Sequence, residues 1–128
     1  MIVVDASAVI DALVGEPNER LAARLGAEAV WHAPHLLDTE VHHVFRRLEA
    51  RRDLTRKQVE TARANFLDLT IDRYPHQPLS DRVWALRSVV TAYDATYLAL
   101  AEALSATLVT TDGRLARAKG VTVPIDAF

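Results

Sequence analysis

Short apolar runs alternate with longer stretches of helical periodicity along this chain. Ile2-Val3-Val4 reads as a strand running through residue 5, and residues 7–14 read as a short helix ended by Gly15. Pro17 sits where a second helix opens, running to about Leu25. Ala29–Ala33 predicts another strand, closed by Pro34. From Leu36 to Ala50 the spacing is strongly amphipathic, with Leu37, Val41, Val44, Phe45 and Leu48 on one stripe. Thr55 caps a following helix to about Leu69, and Thr70–Arg73 reads as a third strand. Ser80–Val90 and Tyr93–Leu104 are helical in period. A strand over Thr107–Thr111, a short helix from Gly113 to Ala118 and a last strand near Val121–Val123 complete the chain. Strands alternating with helices predict an α/β fold, with a parallel sheet covered on both faces.

The acidic residues stand out against this pattern. Asp5 and Asp112 each follow a strand directly. In one parallel sheet both would emerge at the carboxyl edge, where open α/β sheets place their sites. Each also has a structural reading: aspartate before a helix is a good N-cap, and Asp112-Gly113 is an ordinary turn pair. Asp94 falls within the stripe formed by Tyr97, Leu98, Ala101 and Leu104. A charge there is expensive unless the first-turn dipole or a chemical role retains it. Glu40 and Asp38 lie at opposite margins of the Leu36–Ala50 stripe, Glu40 about 90° from its centre, so periodicity does not choose between them. Asp38 is the better placed of the two for the helix dipole. Clustered carboxylates repel unless a cation sits among them, and hard divalent ions of the magnesium type are the usual solution.

Composition narrows the field. The chain has 128 residues, half of them hydrophobic, which suits one domain spanning 1–128 with one core. It has no cysteine, so disulfides and thiolate metal sites are excluded, and a reducing, cytoplasmic setting is expected. No apolar stretch is long enough for a bilayer and no signal peptide opens the chain. The five histidines, His32, His35, His42, His43 and His76, have none of the usual zinc spacings. The net charge of −2 is not that of a polycation coating nucleic acid. Even so, Arg46, Arg47, Arg51, Arg52, Arg56 and Lys57 fall within twelve positions, either as a solvated helix end or as a track for a phosphate backbone. Arg47 lies two turns beyond Glu40, exposed or in reach of a phosphate.

Taken in order, these residues resemble the PIN-domain family and, within it, the VapC-type toxins of bacterial toxin–antitoxin pairs. The resemblance rests on Val3-Val4-Asp5-Ala6-Ser7-Ala8, on Glu40 early in its helix, on Tyr93-Asp94-Ala95-Thr96-Tyr97-Leu98, and on Leu108-Val109-Thr110-Thr111-Asp112 with Leu115. It covers nearly the whole chain. It implies a three-layer α/β/α fold with a five-stranded parallel sheet. Asp5, Glu40, Asp94 and Asp112 would be the quartet binding Mg²⁺ or Mn²⁺, with Ser7 as a supporting hydroxyl. It further implies an endoribonuclease that cuts RNA with metal-activated water, leaving a 5′-phosphate and a 3′-hydroxyl. The implied partners are an inhibitory VapB-type antitoxin and frequently a second copy of the chain. Gly113, straight after the last aspartate, departs from the family pattern and would loosen that loop. Two rival readings fit the residues less well. A phospho-receiver domain needs an acidic pair after the first strand and a lysine after a late one, and neither is present. A PIN-like domain that only binds RNA or a partner has no need of an intact quartet.

Overall fold

A computed structural model describes residues 1–128. Five strands form one all-parallel sheet: β1 (Ile2–Val4), β2 (Trp31–Pro34), β3 (Ile71–Tyr74), β4 (Thr107–Thr110) and β5 (Ile125–Ala127). Six helices accompany them: α1 (Ala6–Val14), α2 (Glu19–Gly26), α3 (Leu36–Ala50), α4 (Arg56–Asp68), α5 (Ser80–Ala85) and α6 (Ala92–Leu104). The strand order is β3-β2-β1-β4-β5, with Ile2, Val3 and Val4 of β1 in register with Thr107, Leu108 and Val109 of β4. All three β1 residues are fully buried, which requires helices on both faces of the sheet. α1, α3 and α4 pack on one another, and α6 lies against β1, β2 and β4 with α5 beside it, completing the three layers. No helix is long and apolar enough to cross a membrane.

The chain leaves β1 toward β2 and β3, then returns to lay β4 on the other side of β1. The order therefore reverses at β1 and β4, and a crevice opens beyond their carboxyl ends. Local chemistry fixes where the helices start. Thr55 and Gln58 form a reciprocal capping box at the start of α4. The Thr91 side chain accepts from the Asp94 amide and starts α6. α6 is buried continuously from Ala95 to Ala101, as befits a helix covered by sheet on one side and helix on the other.

Three elements differ from the sequence pattern. The last strand lies at Ile125–Ala127, beyond Val121–Val123. The Thr122 amide is turned toward the Glu102 carboxylate, and pairing with β4 begins only where Leu108 donates to the Pro124 carbonyl. The helix expected over Ser80–Val90 stops at Ala85, and the chain continues in turns through Val89 and Val90. β-Branched residues there disfavour another helical turn before the extended Thr91 cap. The segment from Gly113 holds only a 3₁₀ turn at Leu115–Arg117. Gly113 itself has no positive φ, and a Cβ there would meet only the Arg117 Nη1 at 3.7 Å, an ordinary contact.

Candidate active site

Asp5 is both a cap and a cleft residue. Its Oδ1 accepts from the Ala8 amide at 2.9 Å, capping α1, and from the Ser7 hydroxyl at 2.7 Å. Its Oδ2 accepts from the Thr110 hydroxyl of β4 at 2.5 Å. Ser7 in turn accepts from the Thr111 amide at 3.0 Å, so two hydroxyls tie the end of β1 to the end of β4. Burial pushes the Asp5 carboxyl above the usual range, opposed by these hydrogen bonds and reinforced by the Asp94 charge.

Asp112 lies just past β4. Its carboxylate accepts the Arg114 amide and forms a forked ion pair with the Arg114 guanidinium, 2.7 Å at its shortest. Hydrogen bonding to Arg114 holds the Asp112 carboxyl below its ordinary value. Asp94, in the first turn of α6, enters no ion pair. Burial first, then the Asp112 charge, push its carboxyl up.

Glu40 comes from α3, and its Oε1 accepts from the buried Tyr97 hydroxyl of α6 at 2.7 Å. Burial raises the Glu40 carboxyl, the Tyr97 hydrogen bond draws it back, and the Asp5 and Asp94 charges raise it further. Asp38 points elsewhere. Arg73 of β3 grips it with two bonds, 2.6 and 3.0 Å, and it does not line the cleft. The choice that helical periodicity left open is thus decided by a strand 35 positions away.

The four acidic residues of the sequence analysis line one cleft of about 410 Å³, together with Ser7, Arg47, Tyr97 and Arg114. Arg47 also lines the neighbouring hollow beside His43 and Tyr93. The donor set around the cleft is hard oxygen, with no histidine or sulfur among the lining residues. That chemistry fits Mg²⁺ or Mn²⁺. As the side chains stand, no three of them close on one point. Asp112 is turned into Arg114, and Asp5 into its hydroxyl donors.

Several contributors had gone unmarked. Tyr97 and Thr110 stand in the quoted motifs without a role of their own, although a buried tyrosine hydroxyl needs a partner, and that need is a usable signal. Arg114 carries no comparable mark. Asp11 of α1 also lines the cleft. The histidines have separate structural contacts. His76 Nε2 accepts from the Leu36 amide at the start of α3, His32 bonds the Tyr74 hydroxyl, and His42 contacts the Asp38 carbonyl.

With this geometry in place, the PIN domain family model matches residues 2–121. The chain belongs to the PIN-domain family and, within it, to the VapC group. Ribonuclease VapC1 of Mycobacterium tuberculosis (strain ATCC 25618 / H37Rv) is 46% identical over 121 residues, covering 93% of this chain and 91% of the relative. Ribonuclease VapC9 of the same strain is 42% identical over 125 residues, covering 98% and 96%. Among solved structures, VapBC2 from Rickettsia felis bound to a DNA fragment from their promoter shares the fold. It has a TM-score of 0.73, at 15% identity over 100% of this chain and 99% of that one.

Proposed function

We propose that this chain is a divalent-metal-dependent endoribonuclease acting as the toxin of a toxin–antitoxin pair, held inactive by a VapB-type antitoxin. One observation carries the reading. Four carboxylates from four separate elements, the ends of β1 and β4, the second turn of α3 and the first turn of α6, line one cleft at the topological switch. Three of them have carboxyls pushed up by burial and by one another, an arrangement costly to the fold and suited to a cation. The names of the curated relatives support ribonuclease chemistry, and the R. felis VapBC2 structure supports a paired regulator.

Asp5, Glu40, Asp94 and Asp112 are the residues that would hold Mg²⁺ or Mn²⁺, which when bound supplies an activated water and neutralises phosphoryl charge. Ser7 and Thr110 fix the Asp5 carboxylate at the cleft wall, and Tyr97 holds Glu40. Arg47, which lines the cleft, would meet a non-bridging phosphate oxygen. Hydrolysis adds the water oxygen to phosphorus and breaks the bond to the 3′ oxygen, giving a 5′-phosphate and a 3′-hydroxyl. The test is cleavage of bacterial RNA by purified protein with Mg²⁺ or Mn²⁺ and with EDTA. The expected outcome is cutting that stops on chelation while the thermal melt persists. Undiminished cutting in EDTA would overturn the metal mechanism. RNA retention without any cutting would leave a binding domain.

A further inference from the structure

A second cleft, of about 770 Å³, adjoins the acidic centre between the α5–α6 connection and the segment after β4. Its charged lining is Arg87, Arg114, Arg117 and Lys119, against the single acid Asp94. Asp94 and Arg114 line both clefts, so the two are adjacent. Arg24, Arg56, Arg73, Arg82 and Arg114 each have a carboxylate partner. Arg87, Arg117 and Lys119 have none, so their charge is unneutralised in a chain whose net charge is −2. Arg87 is held in place: its guanidinium lies 4.6 Å over the exposed Trp84 ring, and Nη1 donates to the Trp84 carbonyl at 2.8 Å. A cation fixed this way loses little side-chain freedom on meeting an anion.

We propose that this cleft seats the sugar–phosphate backbone of the RNA strand flanking the cut. Arg87, Arg117 and Lys119 would bind successive phosphates, and the strand would pass by Asp94 and Arg114 into the acidic centre. The proposal rests on the ribonuclease reading above and adds where the substrate lies. Unpaired cations beside the carboxylates resolve a difficulty, since a polyanion would otherwise be repelled by the centre that cuts it. The basic run conspicuous in the sequence is placed differently. It occupies the end of α3 and the start of α4, Arg56 is paired with Glu60, and only Arg47 lines the acidic cleft.

The test compares the parent with a cleft variant (Arg87→Gln, Arg117→Gln, Lys119→Gln) and a control variant (Arg46→Gln, Arg51→Gln, Arg52→Gln). Binding of a fluorescein-labelled oligouridylate is followed in EDTA over a range of salt. For single strands each lost phosphate contact removes about 0.7 from the slope of log affinity against log salt, so the cleft variant should lose roughly 2. The control variant should keep the parent slope. In Mg²⁺ with total bacterial RNA, the cleft variant's KM should rise roughly tenfold or more, with kcat moving far less. A parent slope in the cleft variant, or an equal drop in the control, would overturn the proposal. So would a cleft variant that binds RNA normally but fails to bind the antitoxin, since the cleft would then be the partner's. If the parent cuts RNA and the cleft variant matches it, only this placement fails. If the parent cuts nothing, the ribonuclease reading fails.

Discussion

The Tyr97 hydroxyl donates to Glu40 Oε1 at 2.7 Å, joining α6 to α3 across the cleft. That hydrogen bond draws down a carboxyl which burial and the Asp5 and Asp94 charges push up. Tyr97→Phe removes it and should raise the Glu40 carboxyl further. The proposed mechanism uses Glu40 ionised, so the acidic limb of the pH–rate profile should move to higher pH. Stability should fall by about 1.5–3 kcal/mol, the usual range for a hydrogen bond to a charged group. A rate profile unchanged in pH, with only the melt lowered, would make Tyr97 a packing residue alone.

Asp94 gives the converse effect. Its carboxyl is raised in the folded state, so its ionisation opposes folding at neutral pH, and protonation relieves the repulsion. Asp94→Asn should be inactive, yet melt at or above the parent temperature in metal-free buffer at pH 7. The advantage should shrink as pH falls through the raised carboxyl toward the ordinary value of 3.8, where the parent is protonated in both states. Melts of the two proteins across that range are the measurement. A variant less stable at pH 7 would mark Asp94 as a structural hydrogen-bond partner.

Asp38 and Glu40, two positions apart, should separate cleanly. Asp38→Asn loses a partly exposed ion pair with Arg73, worth about 0.2–1 kcal/mol, and should keep most activity. Glu40→Gln should fold normally and lose activity by orders of magnitude. Growth of a host lacking the antitoxin gives the same reading: arrest by the parent and Asp38→Asn, tolerance of Glu40→Gln. Arrest by all three would mean that toxicity comes from binding.

Ser7 bears on both stability and chemistry. Ser7→Ala leaves the Thr111 amide without its side-chain acceptor and takes one donor from Asp5. A stability loss of about 1–3 kcal/mol is expected, since an unsatisfied buried donor keeps its full desolvation penalty. Because the Ser7 bond lowers the Asp5 carboxyl, the variant should also need higher pH for full activity. Ser7→Thr, which retains the hydroxyl, should recover the pH profile even where packing lowers the melt.

The legible parts of this molecule were those written locally. Asp5 and Asp112 followed recognisable strands, and Asp94 interrupted an apolar stripe, so each could be marked from its neighbours alone. Glu40 could not be separated from Asp38, because the deciding contact comes from Arg73 on β3. The arginine run at 46–57 was conspicuous because it is contiguous. Arg87, Arg117 and Lys119 are dispersed among neutral residues and become neighbours only when the α5–α6 connection meets the segment after β4. Val121-Thr122-Val123 has strand-like side chains, but its backbone is diverted to Glu102.

β1 pairs with β4, Ile2 in register with Thr107, so its partner is made long after it. Between them lies almost the whole chain, and a contact so distant in sequence waits on the closure of a long loop. The end of β1 and the end of β4 each contribute an acidic residue to the cleft, so a growing chain on the ribosome carries only part of it. A toxin assembled this way has no complete cleft while β4 is still unmade.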